Sequence, residues 1–167
     1  MKSSGSAYVS IVLVLLVGYF SYQWWFNPRR AIKRQLGELA ETLSAPKGGG
    51  DIDRIARVAQ LRNYFDPDVT VSLGASRPAI TSRDALIGAV ASWNPPAADW
   101  TVSFVDVQIT MDTDRTARAY MTVEVRTTDP QTGQAVFDPR EAKVALAGAD
   151  GRWVITSVET VETLQRP

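Results

Sequence analysis

The strongest constraint on the fold is a run of alternating residues in the second half of the chain. From Ala117 to Val125 every odd position is apolar, and polar or aromatic residues stand between them. A period of two predicts a β-strand with one buried face. Further runs of strand-forming residues lie at 102–111, 142–146 and 152–161, separated only by turns. The sequence therefore predicts an antiparallel meander on which the rest of the chain must pack.

Two of these strands allow a prediction about their faces. In the last strand Trp153 and Ile155 are in phase but Val158 is not, which indicates a β-bulge or a strand covered on both sides. The strand over 102–111 is expected to turn one apolar face to the core, formed by Val105, Val107, Ile109 and Met111.

Helical segments precede the meander. Asn27 followed by Pro28 is a typical helix start, and the apolar spacing after it predicts a helix over residues 28–44 with one buried stripe. Residues 45–50 are expected to form a loop, and residues 51–163 the remainder of the domain. A second helix from about residue 51 is expected to bury Ile52, Ile55, Val58, Ala59, Leu61 and Phe65.

A short strand at 69–73 and a third helix complete the predicted domain. Thr81, Ser82 and Asp84 form a capping-box-like start for that helix. Its expected buried face consists of Leu86, Ile87, Val90 and Ala91.

Residues 7–26 carry no charged side chain and are rich in Val, Leu and Ile. Twenty residues at helical rise match the hydrocarbon thickness of a bilayer, roughly 30 Å. The sequence predicts a transmembrane helix from Ala7 to Phe26, after a short tail at 1–6, and hence the lipid bilayer as a partner. The alternative is a cleaved signal peptide, but no small-x-small cleavage site follows the apolar stretch.

Composition excludes several classes of chemistry. The chain contains no cysteine and no histidine, so thiolate catalysis is excluded and the commonest general base and metal ligand are missing. Residues 51–167 carry 12 basic and 16 acidic side chains, a net charge of −4, which argues against nucleic-acid binding. No phosphate-binding loop or metal-ligand motif is present, and we expect no cofactor.

The order helix, helix, strand, helix and meander resembles the NTF2-like superfamily, which includes SnoaL-like and cystatin-like domains. Three local patterns carry the resemblance: residues 65–71, 80–86 and 151–155. It implies an α+β cone over residues 27–167, with three helices packed on a curved, mostly antiparallel sheet. It also implies a conical cavity, which is the active site in the enzymes of this superfamily.

Candidate site residues follow from this resemblance. Asp66 and Asp68 flank a proline, where turn formation explains them, so no catalytic residue is assigned. One polar strand face either lines the cavity or faces water as a surface for partners. The ligand-pocket candidates are Tyr64, Trp93, Tyr120, Glu124 and Trp153, and the interface candidates are Arg118, Tyr120, Glu124 and Arg126.

These features predict a membrane-anchored, non-enzymatic assembly module of an envelope complex, with envelope proteins or a second copy as partners. The alternative is a cavity that binds a small hydrophobic ligand or acts as an isomerase or hydrolase. The positive residues Arg29, Arg30, Lys33 and Arg34 favour a cytoplasmic domain. Superfamily members with one N-terminal span place the domain outside the cytoplasm, so we expect an inner-membrane protein with a periplasmic domain.

Overall fold

The computed structural model describes residues 12–18, 27–45, 51–74, 77–92, 100–129 and 132–161. The predicted order of helices and strands is confirmed. In chain order the elements of the domain are α1 (Pro28–Leu43), α2 (Asp51–Gln60), a 3-10 turn (Leu61–Asn63), β1 (Phe65–Ser72), α3 (Arg83–Ser92), β2 (Trp100–Met111), β3 (Thr116–Thr128), β4 (Ala135–Ala149) and β5 (Arg152–Val161).

The strands form one sheet in the order β1-β5-β4-β3-β2. Strands β2 to β5 are an antiparallel meander, and β1 adds to β5 in parallel. The predicted α+β class with a mostly antiparallel sheet is confirmed. Phe65 was expected on the second helix, but it begins β1 and pairs with Ile155. Pro67 is tolerated in β1 because an edge strand need not donate every backbone hydrogen bond.

Helix α1 packs on one face of the sheet, which we call the inner face. Asn27 caps the helix as predicted, since its side-chain oxygen accepts a hydrogen bond from the Arg29 amide at 3.1 Å. Ile32, Leu36 and Leu39 are buried against the strands. Because Trp100 Nε1 donates to the Leu43 carbonyl at 2.7 Å, the end of α1 is fixed to the start of β2.

A bulge in β2 changes the predicted face of that strand. Asp106 has a positive φ of 54°, and the pairing with β3 shifts between Val105 and Gln108. Ile109 and Met111 pack against the core as expected. Val105 pairs with Thr122 and therefore lies on the opposite face, so its predicted orientation was wrong.

A second bulge explains the irregular pattern of β5. Ile155 pairs with Leu146, whereas Ser157 pairs with Ala145, so Thr156 is an extra residue. The bulge returns Val158 to the face of Trp153 and Ile155, where it packs against the core. The bulged interpretation of this strand is confirmed.

Strand β4 is longer than its hydrophobic pattern predicted. Alternation was clear only over 142–146, yet the strand runs from Ala135 to Ala149. It ends in a two-residue turn in which Asp150 and Gly151 both have positive φ, 49° and 77°. This turn geometry matches the twist of the two strands it joins and requires residues that tolerate a left-handed backbone.

Helices α2 and α3 pack loosely. Ile52 and Ile55 were expected to be buried, but they are 82% and 66% exposed. The 3-10 turn follows α2, and Leu61 within it is buried as expected, whereas Ala59 at the end of α2 was expected to be buried and is exposed. On α3, Leu86, Ile87 and Val90 are only half-buried, and Ala91, which was expected to be buried, is exposed.

The predicted membrane span lies mostly outside the described residues. Within it, residues 12–18 are helical and their apolar side chains are exposed. Among the residues that the structure describes, no helix is both long and apolar enough to cross a membrane. Residues 46–50 of the predicted loop also lie outside the described ranges; Ala45 before them bridges to Trp100.

Candidate functional site: an apolar cavity between the helices and the sheet

A cavity of about 310 Å³ lies between the inner face of the sheet and the helices. Helix α1, the 3-10 turn, β1 and α3 form its walls, and β2 to β5 form its floor. The apolar residues that line it are Leu36, Leu39, Leu43, Leu61, Phe65, Val71, Leu73, Leu86, Val90, Phe104, Met121, Val123, Ala142, Val144, Ile155 and Val158.

The cavity exists because the residues around it do not fill the space between the layers. Its floor includes Ala142, whose small side chain leaves room above β4. The bulges at Asp106 and Thr156 curve the sheet away from a flat surface. Leu86 and Val90 of the loosely packed α3 approach from above without closing the gap.

A second cavity of about 240 Å³ adjoins the first towards α2. Leu43, Leu61, Val90 and Val123 line both spaces. The remaining lining residues of the second space include Trp100 and the half-buried Val58. The two spaces are therefore neighbours that share part of their lining.

Few polar groups border these cavities. The larger one is lined by Arg140 and Thr160 besides its apolar residues, and the Thr160 hydroxyl donates to the Ser72 carbonyl at 3.4 Å. The smaller one has Arg54, Arg57 and Thr42 among its lining residues. Among the described lining residues of both spaces there is no aspartate or glutamate. The lining therefore offers contacts for an apolar molecule and no carboxylate base for proton transfer.

Arg140 lies where the larger cavity opens to water. On β4 it is on the same face as Ala142 and Val144, opposite Val123 of β3. Its Nε is 3.1 Å from Asp138 Oδ2, and its side chain is 67% exposed. The aliphatic part of an arginine can cover apolar surface while the guanidinium stays solvated.

Two of the predicted pocket residues belong to the core instead of the described cavity lining. Trp153 is buried, and its backbone N–H and C=O both bond to the side-chain amide of Gln35. Tyr64 is half-buried, with its hydroxyl 3.4 Å from Thr42 Oγ1. Trp93 lies outside the described residues.

Tyr120 and Glu124 lie on the opposite side of the sheet, which we call the outer face. Tyr120 is 46% exposed, and Lys143 Nζ is 5.7 Å from the centroid of its ring. Glu124 pairs with Ser103 and Pro139 across the sheet. Neither residue lines the two apolar cavities, but Tyr120 lines a separate, more open and polar space of about 760 Å³ together with Asp106 and Glu141.

The remaining interface candidates share the outer face. Arg126 lies over the ring of Phe137, 4.4 Å from its centroid, and Phe137 is itself exposed. Arg118 bonds Asp112 through Nε and Nη2, with the shortest contact at 2.6 Å. This hydrogen bonding lowers the pKa of Asp112 and raises that of Arg118. In the described part of the chain, no three acidic side chains cluster as metal ligands.

Sequence reasoning missed Arg140 and the part played by α3. Arg140 would have been placed on the inner face if the alternation of Ala142, Val144 and Leu146 had been extended backwards by one step. Pro139 and the charged residues around it hid that extension. The open space itself has no sequence signal, because it depends on how far α2 and α3 stand from the sheet.

Comparison with known proteins agrees with this architecture. The fold resembles a putative scytalone dehydratase from Novosphingobium aromaticivorans, with a TM-score of 0.62, 15% identity and coverage of 80% of this chain and 82% of that one. It resembles the association domain of C. elegans CaMKII, with a TM-score of 0.62, 13% identity and coverage of 80% and 95%. A Caulobacter vibrioides protein with a cystatin-like fold gives a TM-score of 0.58, 13% identity and coverage of 81% and 90%.

These identities establish a shared fold and leave function open. A search of curated proteins finds no match. The family model of the SnoaL-like domain matches residues 52–159, which is more than half of the sequence. The chain belongs to the SnoaL-like domain family.

Proposed function

We propose that this SnoaL-like domain binds a small apolar molecule in the cavity between α1 and the sheet, and that it does so as a binding module without chemistry of its own. The observation that carries the proposal is the lining of that cavity. Its walls are aliphatic and aromatic, and the volume of about 310 Å³ is at the lower end of ligand pockets.

The same lining argues against catalysis. Isomerases and dehydratases of this architecture need a base or acid held next to the substrate, with a pKa adjusted by an apolar site. No histidine is available anywhere in the chain. Among the described residues, the carboxylates Asp66, Asp68 and Glu124 are not part of the lining of either cavity. A hydrophobic ligand would thus be bound and released unchanged.

The test is a titration of the full chain with decan-1-ol, followed by methyl NMR. We expect saturable shifts of the methyl signals of Leu86 and Val144, which line the cavity. Val136 is the internal control because it is exposed at the start of β4, away from the cavity lining. Shifts confined to Val136, or shifts that grow linearly at all sites, would contradict the proposal.

A second candidate function rests on a different observation, the aromatic and charged outer face. Tyr120 and Phe137 are exposed there, each with a cation against its ring. Exposed aromatic residues beside arginine are typical of protein interfaces. We propose that this face binds a second copy of the chain. The likeness in fold to an association domain supports that proposal.

Light scattering tests the assembly proposal. The double variant Tyr120→Ala with Glu124→Ala is expected to have a lower average mass than the wild type and the same unfolding midpoint. The matched control is Arg34→Ala with Glu38→Ala, because both residues are exposed on α1, on the other side of the sheet from Tyr120. A wild-type monomer at high protein concentration would rule out self-assembly.

We also propose that residues 7–26 tether the domain to a membrane and that the domain lies on the periplasmic side. The bilayer would then bring dissolved apolar ligands close to the cavity. The support is the uncharged apolar sequence of that segment. Sedimentation of membranes from cells that produce the full chain, with or without residues 1–26, tests this proposal. Recovery of both forms in the supernatant would contradict it, and protease protection of the full chain would report its side.

A further inference from the structure

We infer that the ligand of the cavity is a small amphiphilic anion, with its apolar body between α1 and the sheet and its acidic group at Arg140. This inference rests on the ligand-binding function proposed above and names the chemical class of the ligand. A ligand with a negative charge would distinguish this domain from one that binds neutral hydrocarbons.

The sign of the charge around the two cavities is the first argument. Their described charged lining residues are Arg140, Arg54 and Arg57, and all three are cationic. The whole chain has 18 basic and 18 acidic side chains, so this bias is local. Asp138 is paired with Arg140 outside the lining, but the charged residues of the lining itself are all cationic, and this favours an anionic group on the ligand.

The position of Arg140 is the second argument. Arg140 shares the inner face with Ala142, which is buried at the floor of the cavity, yet the arginine side chain is 67% exposed. It therefore marks the boundary between apolar wall and water. A guanidinium at that boundary can bind a carboxylate through two parallel hydrogen bonds while the ligand's apolar part stays inside.

Asp138 does not prevent this interaction. It contacts Arg140 through Nε alone at 3.1 Å, and a guanidinium carries five N–H donors. Both side chains of the pair are more than half exposed, so their mutual attraction is weak. The carboxylate of a ligand can bind the guanidinium together with Asp138, or it can displace the Asp138 carboxylate.

The cavity volume limits the ligand's size. If each heavy atom occupies about 30 Å³, the share of one water molecule in the liquid, a volume of 310 Å³ holds about ten such atoms. Decanoate meets this limit with its alkyl chain inside and its carboxylate at the mouth. Decan-1-ol has nearly the same chain and no charge, which makes it the matched neutral probe.

The experiment measures the dissociation constants of decanoate and decan-1-ol for the full chain at pH 7, from the methyl shifts of Leu86. We expect Arg140→Gln to weaken decanoate about threefold to tenfold, the range for a partly exposed charge-assisted contact. Decan-1-ol should change less than about twofold. Arg34→Gln is the matched control, since it removes the same charge from an exposed, ion-paired arginine on α1 that lines neither cavity.

Asp138→Asn provides a variant with the opposite effect. Removing its charge frees the guanidinium, so decanoate should bind more tightly while decan-1-ol is unaffected. If the Arg140–Asp138 pair had a purely structural role, both variants would instead lower the affinity for both probes.

The possible failures are distinguishable. If decan-1-ol binds but Arg140→Gln leaves the affinity for decanoate unchanged, the ligand-binding function stands and the anion inference is wrong. If neither probe shifts the cavity signals, both proposals are wrong. If Arg34→Gln weakens the binding of decanoate as much as Arg140→Gln does, the attraction is a general charge effect and the assignment to Arg140 is overturned.

Discussion

Substituting Ala142 by leucine fills the proposed cavity from its floor. Ala142 is buried and lines the space, so the three added carbon atoms enter existing room. Burying a methylene group stabilises by about 0.8 kcal/mol, which sets a ceiling of about 2.4 kcal/mol for the gain. The added atoms take up about 90 Å³ of the open volume at about 30 Å³ each.

Ala119 provides the matched control for this substitution. It is buried on the inner face of the adjacent strand, opposite Val144, but it is not among the residues that line the cavity. Leucine there must displace packed neighbours, which costs about 1–3 kcal/mol. We therefore expect Ala142→Leu to be as stable as the wild type or more so, and Ala119→Leu to be less stable.

Urea unfolding of both variants measures the difference, with equal slopes showing that only stability has changed. The affinity for decan-1-ol should fall at least about tenfold in Ala142→Leu, because the ligand and the new side chain compete for the same space. An equal loss of stability in both variants would refute the reasoning, since it would mean that the space above Ala142 is closed in solution.

Three further predictions concern the scaffold and its surface. Ile32→Ala should destabilise the domain by about 2–5 kcal/mol in urea unfolding, because Ile32 is fully buried between α1 and the sheet; a loss below about 1 kcal/mol would contradict the packing of α1. Gly151→Ala should cost about 1–2 kcal/mol in the same assay, because its φ of 77° is unfavourable for a residue with a side chain; an unchanged midpoint would mean that the β4–β5 turn differs. Arg118→Gln should raise the pKa of Asp112 towards the ordinary 3.8, as read from a carboxyl NMR titration. Since the wild-type pKa is lowered, the pair stabilises the fold above pH 3.8 and this contribution is lost as the pH falls through the lowered value; an Asp112 titration that is the same in both proteins would contradict it.

The sheet was predictable where one face is buried and the strand is regular. Strand β3 has both properties, and the alternation around Ala119 and Met121 predicted it correctly. For strand β2 the predicted orientation of Val105 was wrong. The bulge at Asp106 adds a residue without any sign in the hydrophobic pattern, so Val105 lies on the opposite face. The bulge in β5 left a sign in the sequence because it put Val158 out of phase, whereas the extra residue at Asp106 shows only in the pairing of β2 with β3.

The helices show a different limit. The pattern of α2 predicted an amphipathic helix correctly, but it did not say which neighbour the apolar stripe meets, and Ile52 and Ile55 are exposed. The cavity follows from the same loose packing. Its lining could not be predicted from residue types, because Leu86 or Val144 in a cavity wall looks the same in sequence as a leucine or valine in a filled core.

The most direct test of the proposed function is a crystal structure of the full chain grown with decan-1-ol. We predict continuous density for the alkyl chain between α1 and β4, in contact with Leu86 and Ala142. A structure in which Leu86 and Val90 close onto Ala142, with the alcohol absent or bound only on the outer face, would contradict the account.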